Sequence, residues 1–355
     1  SALKSEDEKI DIGHAGTAMR FLTSYYSSII NSSKILTGSE RMKQRPISIL
    51  VDALNHIGAE IEYLESEGYP PIKLKGKLIT NNVVILPANV SSQYISSLMM
   101  LGVSLEDGLK INLSTKITSL PYIKMTKILI ERIGGEVIIK SDKIIIKPFL
   151  AHNISDQTVE SDWSSASYFY SLVALSDYSE ITISTFFKKS IQGDSRIENI
   201  YRKFGVETSF RDNKIHLKKV NVELPEIISI NLQDNPDLAQ TIIITCLGLG
   251  VDCDLQGLHT LKIKETDRLI ALKKEIEKFD VDRVEVSDQS IILKNNSKLK
   301  SNVTVDTYND HRMAMSFAPL SLIIPIIIRN PEVVSKSYSN FWNDLKSVGF
   351  HISKK

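Results

Sequence analysis

The sequence contains few cysteines: only Cys246 and Cys253 occur among its 355 residues. Both lie in or just after the apolar run TIIITCLGLGVDC, and their spacing fits neither a zinc site nor a framework of disulfides. We therefore expect a protein of the reducing cytoplasm. No pattern of metal ligands and no nucleotide-binding loop is present, so we predict neither a metal site nor a cofactor.

Long hydrophobic runs and an excess of one charge are missing as well. The longest apolar stretch, SFAPLSLIIPIII at 316–328, is too short to span a bilayer and contains two prolines. Lys and Arg number 43 against 42 Asp and Glu, so the net charge is +1. This balance argues against a general nucleic-acid or anionic-membrane surface. Any basic binding site must be local, and we expect neither kind of partner.

What the sequence does contain is a repeat, in which an amphipathic helix is followed by a stop residue and a strand. The stop residues are 76, 71, 75 and 69 positions apart. Gly is the usual left-handed stop after a helix, and Asp tolerates the same conformation. The five stops are Gly58, Gly134, Gly205, Asp280 and Gly349.

A second series of apolar helices has the same period, with starts 75, 73, 72 and 74 residues apart. β-Branched runs separate the helices, and the segments 136–148 and 284–294 have the pattern of β-hairpins. Each unit is therefore helix, strand, helix, strand, strand. The starts of this second series are Gly16, Ser91, Ser164, Pro236 and Asp310.

Five units are visible, and we expect a sixth, in whole or part, to precede residue 1. Six units would divide into two lobes of three. We therefore predict a front lobe at 1–160 with two of its three units, and a back lobe at 161–355 with three.

Several unit helices carry cations at their starts, where the helix dipole opposes positive charge. We predict that Pro46 occupies a first helical position, and that Lys264 and Arg268 share one helix face. A bound anion would reverse the penalty, so these starts are candidate anion sites. The alternative is pairing with a local acid such as Asp310 or Glu265. The cations are Arg20, Arg45, Lys264, Arg268, His311 and Arg312.

Other polar residues have plainer interpretations. By local sequence, Asp162 and Asp237 are predicted helix caps rather than bases. The segments SSQ (91–93) and SSAS (164–167) are typical of ordinary N-terminal caps. We expect Met313 and Met315 in the core.

Nine motifs occur in the order found in 5-enolpyruvylshikimate-3-phosphate synthases, a family that the chain resembles from about residue 10 onward. KETDR together with NDHRMAM is highly specific. The related UDP-N-acetylglucosamine enolpyruvyl transferases share the fold but lack this set. The motifs are GTAMR (16–20), LTGSERMKQRPI (36–47), EGYPPIKLKG (67–76), SSQ (91–93), SSASYF (164–169), QGD (192–194), NPD (235–237), KETDR (264–268) and YNDHRMAM (308–315).

The resemblance implies an α/β enolpyruvyl transferase fold of two lobes, each built from βαβαββ units and closing on substrate. It also implies transfer of the enolpyruvyl group of phosphoenolpyruvate to the 5-hydroxyl of shikimate 3-phosphate, by a cytoplasmic monomer without a cofactor. Both substrates carry phosphate and carboxylate, which is the kind of ligand that the cationic helix starts favour.

Site residues follow from the resemblance motif by motif. It implies Asp237 as the base that deprotonates the hydroxyl and Glu265 as the acid that protonates the methylene carbon, with Lys336 and His311 assisting. The implied ligands of phosphoenolpyruvate are Gly16, Arg45, Arg268, Arg312 and Lys336. The implied ligands of shikimate 3-phosphate are Ser91, Ser92, Gln93, Ser119, Tyr122, Asp237 and Lys264.

The sequence also departs from the family pattern. The usual first segment, with a Lys-Ser pair and a nearby Arg, has no match, so we expect an incomplete front lobe. His14, Phe21 and Thr260 stand where Asn, Pro and Asn are frequent. We nevertheless expect glyphosate to compete with phosphoenolpyruvate. The alternative function is a substrate-binding but catalytically impaired fragment or relic of such an enzyme.

Overall fold

The computed structural model describes residues 7–89, 91–150, 156–295 and 298–354. The α-helices are α1 Gly16–Ser28, α2 Glu40–Lys43, α3 Ser48–His56, α4 Ser92–Gly102, α5 Leu120–Arg132, α6 Trp163–Leu175, α7 Ile197–Tyr201, α8 Ala239–Leu249, α9 Arg268–Glu277, α10 His311–Phe317 and α11 Phe341–Ser347. The strands are β1 Lys9–Asp11, β2 Ser33–Thr37, β3 Glu60–Tyr63, β4 Ile72–Lys75, β5 Val83–Leu86, β6 Leu109–Leu113, β7 Val137–Ile139, β8 Lys143–Ile146, β9 Glu180–Ser184, β10 Val206–Arg211, β11 Lys214–Lys219, β12 Ile227–Asn231, β13 Asp252–Gln256, β14 Arg283–Val286, β15 Ser290–Lys294, β16 Val303–Val305 and β17 Ile326–Ile328.

Two compact units divide the chain, one at 1–157 and the other at 158–355. Each unit has its own hydrophobic core. In the first unit the core lies between the sheets and the helices α1, α3, α4 and α5. In the second unit α6, α8 and α10 are buried among the surrounding strands and helices.

Three four-stranded sheets repeat one topology, with strand orders β1-β2-β4-β3, β5-β6-β8-β7 and β12-β13-β15-β14. In each sheet the first two strands are parallel and the hairpin that follows is antiparallel. A parallel pair requires a crossover, and a helix supplies it. These three sheets therefore confirm the βαβαββ unit that the resemblance implied, including the order helix, strand, helix, strand, strand predicted from the sequence pattern. The remaining sheets are β10-β11-β9, which is antiparallel, and the parallel pair β16-β17.

The predicted helix stops have left-handed backbone at all five positions. Asp280, which replaces Gly once, has φ +67°. At Gly205 a Cβ atom would lie 2.4 Å from the Val220 carbonyl oxygen, so space as well as conformation requires Gly there. The φ values at the glycines are +108° at Gly58, +98° at Gly134, +75° at Gly205 and +100° at Gly349.

Pairs of small hydroxyl side chains join the buried helices at the repeat distance. Ser24 of α1 lies 2.5 Å from Ser97 of α4. In the second unit, Ser167 of α6 lies 2.9 Å from Thr241 of α8. Small side chains allow the two helices to approach closely, and each hydroxyl satisfies the other inside an apolar core.

Two local predictions about helix starts are wrong. Helix α3 begins at Ser48, so Pro46 lies before the helix rather than in its first turn. Helix α9 begins at Arg268 with Asp267 as its cap, and Lys264 precedes it in extended backbone. Before α3 the Pro46 carbonyl accepts from Arg20 and Tyr94. At α9 the Asp267 side chain accepts from the Leu269 and Ile270 amides, which fixes the helix start at the residue after the cap. No helix of the described residues is long and apolar enough to cross a membrane.

Candidate active site

The centre of the polar cluster in the second unit is Arg268, the first residue of α9. Its side chain is only 2% exposed. Its guanidinium donates to Asp310 Oδ2 at 2.7 Å, to Asp237 Oδ1 at 3.0 Å and to Glu265 Oε2 at 2.7 Å. Burial alone would lower the pKa of Arg268, but the three carboxylates outweigh it and raise that pKa. One arginine therefore ties three elements of the unit together.

Arg312, the second residue of α10, makes a parallel set of contacts. Its Nη2 donates to Asp237 Oδ2 at 3.2 Å and to Ser164 Oγ at 3.0 Å. Its Nη1 donates to the Tyr168 hydroxyl at 3.3 Å. The two oxygens of Asp237 thus face two different arginines. Asp237 is held at the junction of α8, α9 and α10.

The local cap prediction for Asp237 is wrong. Asn235 occupies the cap position of the short 3-10 turn Pro236–Leu238, and its side chain makes no capping hydrogen bond. Asp237 instead faces Arg312, Arg268 and Lys264, whose Nζ lies 3.6 Å away. Burial acts to raise the pKa of Asp237, but these cations outweigh it and hold that pKa well below its usual range. The carboxylate is therefore ionised at neutral pH.

Glu265 and Lys336 form the outer side of the cluster. Lys336 ends a 3-10 turn, Pro331–Lys336, and its Nζ contacts Glu265 Oε1. The other oxygen of Glu265 accepts from Arg268. Two residues separated by 71 positions are thereby brought together.

His311 lies next to the cluster and is 6% exposed. Burial and the neighbouring charge of Arg312 lower its pKa from 6.5 to about 3. Its Nδ1 is 3.7 Å from Asp310 Oδ1 and makes no hydrogen bond to a described residue. The imidazole is thus neutral at physiological pH and acts as a polar neighbour rather than as a cation.

Some of the cations at the helix starts pair with nearby acids, which was the alternative to anion binding; Arg268 pairs with both Glu265 and Asp310. Asp310 caps α10 by accepting from the Arg312 amide at 2.9 Å, and the same carboxylate holds Arg268. The ion pairs of this cluster among the described residues join four cations to three carboxylates. The cations are Lys264, Arg268, Arg312 and Lys336, and the carboxylates are Asp237, Glu265 and Asp310.

In the first unit, Gly16 and Arg45 lie against each other. Gly16 begins α1, and a Cβ atom added to it would be 2.5 Å from Arg45 Nη1. Arg45 itself is 8% exposed. Only Gly therefore lets the guanidinium approach the start of α1 so closely. The structure therefore brings together two of the residues that the resemblance grouped.

Arg20 was predicted among the anion-binding cations, and the structure shows a different role. It is 3% exposed, and it donates to the Gly16 carbonyl at 3.2 Å and to the Pro46 carbonyl at 3.1 Å. The Tyr94 hydroxyl donates to the same Pro46 carbonyl at 2.6 Å. Arg20 therefore supports the backbone next to Gly16 and Arg45.

The remaining residues predicted in the first unit lie at helix starts. Ser91 caps α4 by accepting from the Gln93 amide at 3.3 Å, which confirms the cap predicted from SSQ. The Gln93 side chain donates to Thr17 Oγ1 at 2.8 Å, which brings the start of α4 to the start of α1. Ser92 is the first residue of α4, and Ser119 and Tyr122 lie at the start of α5.

Sequence reasoning missed some polar residues of the second unit. Ser164 and Tyr168 bind Arg312, although their motif was interpreted only as a helix cap, a role that Asp162 fills. Asp194 of the QGD motif is 5% exposed and accepts from Asn235 Nδ2 at 3.3 Å. Burial and the charge of Asp237 raise the pKa of Asp194 from 3.8 to about 7. Ser164 and Tyr168 lie in the motif SSASYF and Asp194 in QGD, so the family motifs could have indicated these residues.

Metal binding has no candidate cluster in the part of the chain that the structure describes: no three His, Cys, Asp or Glu residues are placed to hold an ion.

Comparisons with known proteins agree on one family. The sequence model of EPSP synthase (3-phosphoshikimate 1-carboxyvinyltransferase) matches residues 1–345. A 3-phosphoshikimate 1-carboxyvinyltransferase of Bacteroides fragilis is 45% identical over 354 residues, covering 99% of this chain and 86% of that protein. The enzyme of that name from Colwellia psychrerythraea is 35% identical and covers 95% and 78%, respectively.

A solved structure extends the agreement to the fold. EPSP synthase from Acinetobacter baumannii superposes with a TM-score of 0.73 at 21% identity, covering 99% of this chain and 81% of that one. The mixed α/β architecture is thus that of the enolpyruvyl transferases. With the family model and the relatives in accord, the chain belongs to the EPSP synthase (3-phosphoshikimate 1-carboxyvinyltransferase) family.

Proposed function

We propose that this chain transfers the enolpyruvyl group of phosphoenolpyruvate to the 5-hydroxyl of shikimate 3-phosphate and releases phosphate, a step of the shikimate pathway. The observation that carries the proposal is the buried cluster around Arg268 and Arg312, in a chain of this family. Burying several ions together costs desolvation free energy, and ionisable groups with strongly shifted pKa values are concentrated at functional sites.

We propose two ligand sets for the substrates. The concentration of Arg and Lys side chains in the cluster supports anion binding, and two-pronged arginine contacts suit carboxylate and phosphate. For phosphoenolpyruvate the set is Gly16, Arg45, Arg268, Arg312 and Lys336. For shikimate 3-phosphate it is Ser91, Ser92, Gln93, Ser119, Tyr122, Asp237 and Lys264.

The proposed chemistry is addition followed by elimination. The 5-hydroxyl oxygen bonds to C2 of phosphoenolpyruvate while Asp237 takes the hydroxyl proton and Glu265 protonates the methylene carbon. Phosphate then leaves C2, and a proton leaves the new methyl group to restore the double bond. An anion bound to Arg312 would share its charge, which would raise the pKa of Asp237 toward a useful range for a base. Lys336, through Glu265, and neutral His311 assist.

Three further features belong to the proposal. The two units would be the front and back lobes of the family, with the boundary near residue 160. The protein would act as a cytoplasmic monomer, and its partners would be the two small anionic substrates rather than nucleic acid. Size-exclusion chromatography with light scattering tests the monomer: a mass of twice 39.8 kDa would contradict it.

A coupled assay of phosphate release tests the function. We expect release only when phosphoenolpyruvate and shikimate 3-phosphate are both present, with competition by glyphosate against phosphoenolpyruvate. Arg312→Ala should lower kcat/KM by about 100-fold or more, because a charged hydrogen-bonding group is lost at the reacting centre. Arg211→Ala is the matched control, since Arg211 is 81% exposed. Binding of shikimate 3-phosphate without any phosphate release would favour the impaired relic instead.

A further inference from the structure

Glu275 is a buried carboxylate outside the proposed substrate ligands. It lies on α9 and is 0% exposed. Its Oε2 accepts from the Asp306 amide at 2.9 Å and from Lys278 Nζ at 2.6 Å. Its Oε1 accepts from the Tyr308 hydroxyl at 2.6 Å. Two of these three donors belong to the connection between β16 and α10.

That connection contains an unusual turn. The Asp310 amide donates to the Thr307 carbonyl at 2.8 Å, which closes a four-residue turn. Its central residues have φ +52° at Tyr308 and +55° at Asn309. Two successive left-handed residues without Gly are costly, and such a turn persists only where surrounding contacts hold it. Glu275 supplies contacts on its N-terminal side.

The turn leads directly into the candidate active site. The residue that closes it, Asp310, binds Arg268 and caps α10. His311 and Arg312 follow at once. A shift of the turn would therefore move three site residues together.

Helix periodicity explains how α9 contacts the connection between β16 and α10 at two places. Arg268 and Glu275 are seven residues apart on α9, which is about two turns, so they share a face. Arg268 binds Asp310 after the turn, and Glu275 binds Asp306 and Tyr308 before and within it. Lys278 adds a brace, because its Nζ also reaches Asp306 Oδ2 at 2.9 Å and the Thr304 carbonyl at 3.1 Å.

We propose that Glu275 is a positioning residue for the transfer reaction: by binding Asp306 and Tyr308 it fixes the left-handed turn that sets Asp310, His311 and Arg312. The kinetic part of this inference rests on the proposed function. Glu275 touches no substrate and moves no proton. Its effect passes through the placement of Arg312 and Arg268, so phosphoenolpyruvate should be affected more than shikimate 3-phosphate.

Steady-state kinetics of three variants test the proposal. Glu275→Ala should raise KM for phosphoenolpyruvate or lower kcat by a combined factor of about 10 to 100, since small misplacements of positioned groups have effects of that size. Glu275→Gln should recover most of the loss, because its amide can accept from the Asp306 amide and donate to the Tyr308 hydroxyl. Glu277→Ala, two residues along the same helix and exposed, is the matched control.

Tyr308→Phe covers the case in which Glu275→Ala fails to fold. It removes one hydrogen bond and keeps the ring, and should raise KM for phosphoenolpyruvate by about threefold to tenfold, with KM for shikimate 3-phosphate within about twofold. Unchanged kinetics in folded Glu275→Ala, or in Tyr308→Phe where the former does not fold, would overturn the proposal. So would equal increases in KM for the two substrates.

Hydrogen exchange separates this inference from the proposed function. In Glu275→Ala or Tyr308→Phe, backbone amides of 306–313 should exchange about tenfold faster, while Glu277→Ala matches the wild type. If the wild type releases no phosphate, the proposed function fails. Hydrogen exchange then tests by itself whether Glu275 fixes the turn. Unaltered exchange in both Glu275→Ala and Tyr308→Phe would refute the positioning role.

Discussion

Two carboxylates of the second unit have opposite pKa shifts because their neighbours differ. Asp237, whose side chain is 20% exposed, faces Arg312, Lys264 and Arg268, which hold its pKa below the usual range against the effect of desolvation. Asp194 is buried, accepts from the neutral amide of Asn235 and faces the charge of Asp237. Its pKa rises to about 7. Neighbouring charge, rather than burial, distinguishes them.

Asp194 should make folding stability depend on pH. Its folded pKa of about 7 lies above its ordinary value of 3.8, so the folded state binds the proton more tightly. The contribution is complete below pH about 4 and is lost as pH rises through about 7, on the order of 4 kcal/mol in all. Between about pH 4 and pH 7 the free energy of unfolding of the wild type should therefore fall by this amount relative to that of Asp194→Asn. Urea denaturation at several pH values measures it.

The control for that experiment is Asp282→Asn, because Asp282 is exposed. Its free energy of unfolding should follow the wild type at every pH. Parallel curves for Asp194→Asn and the wild type would contradict the raised pKa.

Glu265→Gln should separate binding from turnover. The amide keeps the size of the side chain but provides no acidic proton for the methylene carbon, so kcat should fall by about 100-fold or more. Calorimetry should show shikimate 3-phosphate binding largely intact. Glu277→Gln on the exposed side of α9 serves as control. Turnover like that of the wild type would refute the role of Glu265.

At the scale of elements, left-handed stops end the helices and set the hairpins that follow. Two stop glycines share nearly the same backbone: φ is +75° at Gly205 and +72° at Gly250. Their surroundings differ. A Cβ at Gly205 meets the Val220 carbonyl, whereas at Gly250 it would meet nothing within 4 Å.

Alanine at these two positions should therefore cost different amounts. Gly250→Ala carries the conformational penalty alone, roughly 1–2 kcal/mol. Gly205→Ala should cost at least about 1 kcal/mol more, because a backbone oxygen at 2.4 Å must move. Urea denaturation of the two variants compares them directly. Equal losses of unfolding free energy would show that the contact with Val220 is irrelevant.

At the scale of the whole molecule, a net charge of +1 gives little long-range attraction for anions. Binding free energy must come from the local cations. Shikimate 3-phosphate should then stabilise the fold, by about 2.7 kcal/mol at 100 times its Kd. Lys264→Ala should reduce this gain at the same ligand concentration, and Arg211→Ala should not. Retention of the full gain in Lys264→Ala, measured by thermal unfolding, would exclude Lys264 as a ligand.

The order of elements was accessible from the sequence alone, because it depends on short-range chemistry. Periodic apolar residues define the helices, β-branched runs define the strands, and residues tolerant of positive φ end the helices. Hence the order helix, strand, helix, strand, strand, both hairpins and even Asp280 as a stop were predicted correctly, whereas the leading strand of the βαβαββ unit came from the family resemblance. The helix start at Asp310 was also predicted, because it depends on a cap bond that spans only two residues.

Charge pairing was decided by the tertiary structure. Arg268 meets Asp310 across 42 positions and Asp237 across 31, and Arg20 binds Pro46 across 26. Local sequence therefore gave the wrong role for Asp237 and Arg20, and it gave none for Glu275. Periodicity fixes which face of a helix a side chain occupies, but only packing between units of the repeat decides which charges share that space and how their pKa values shift.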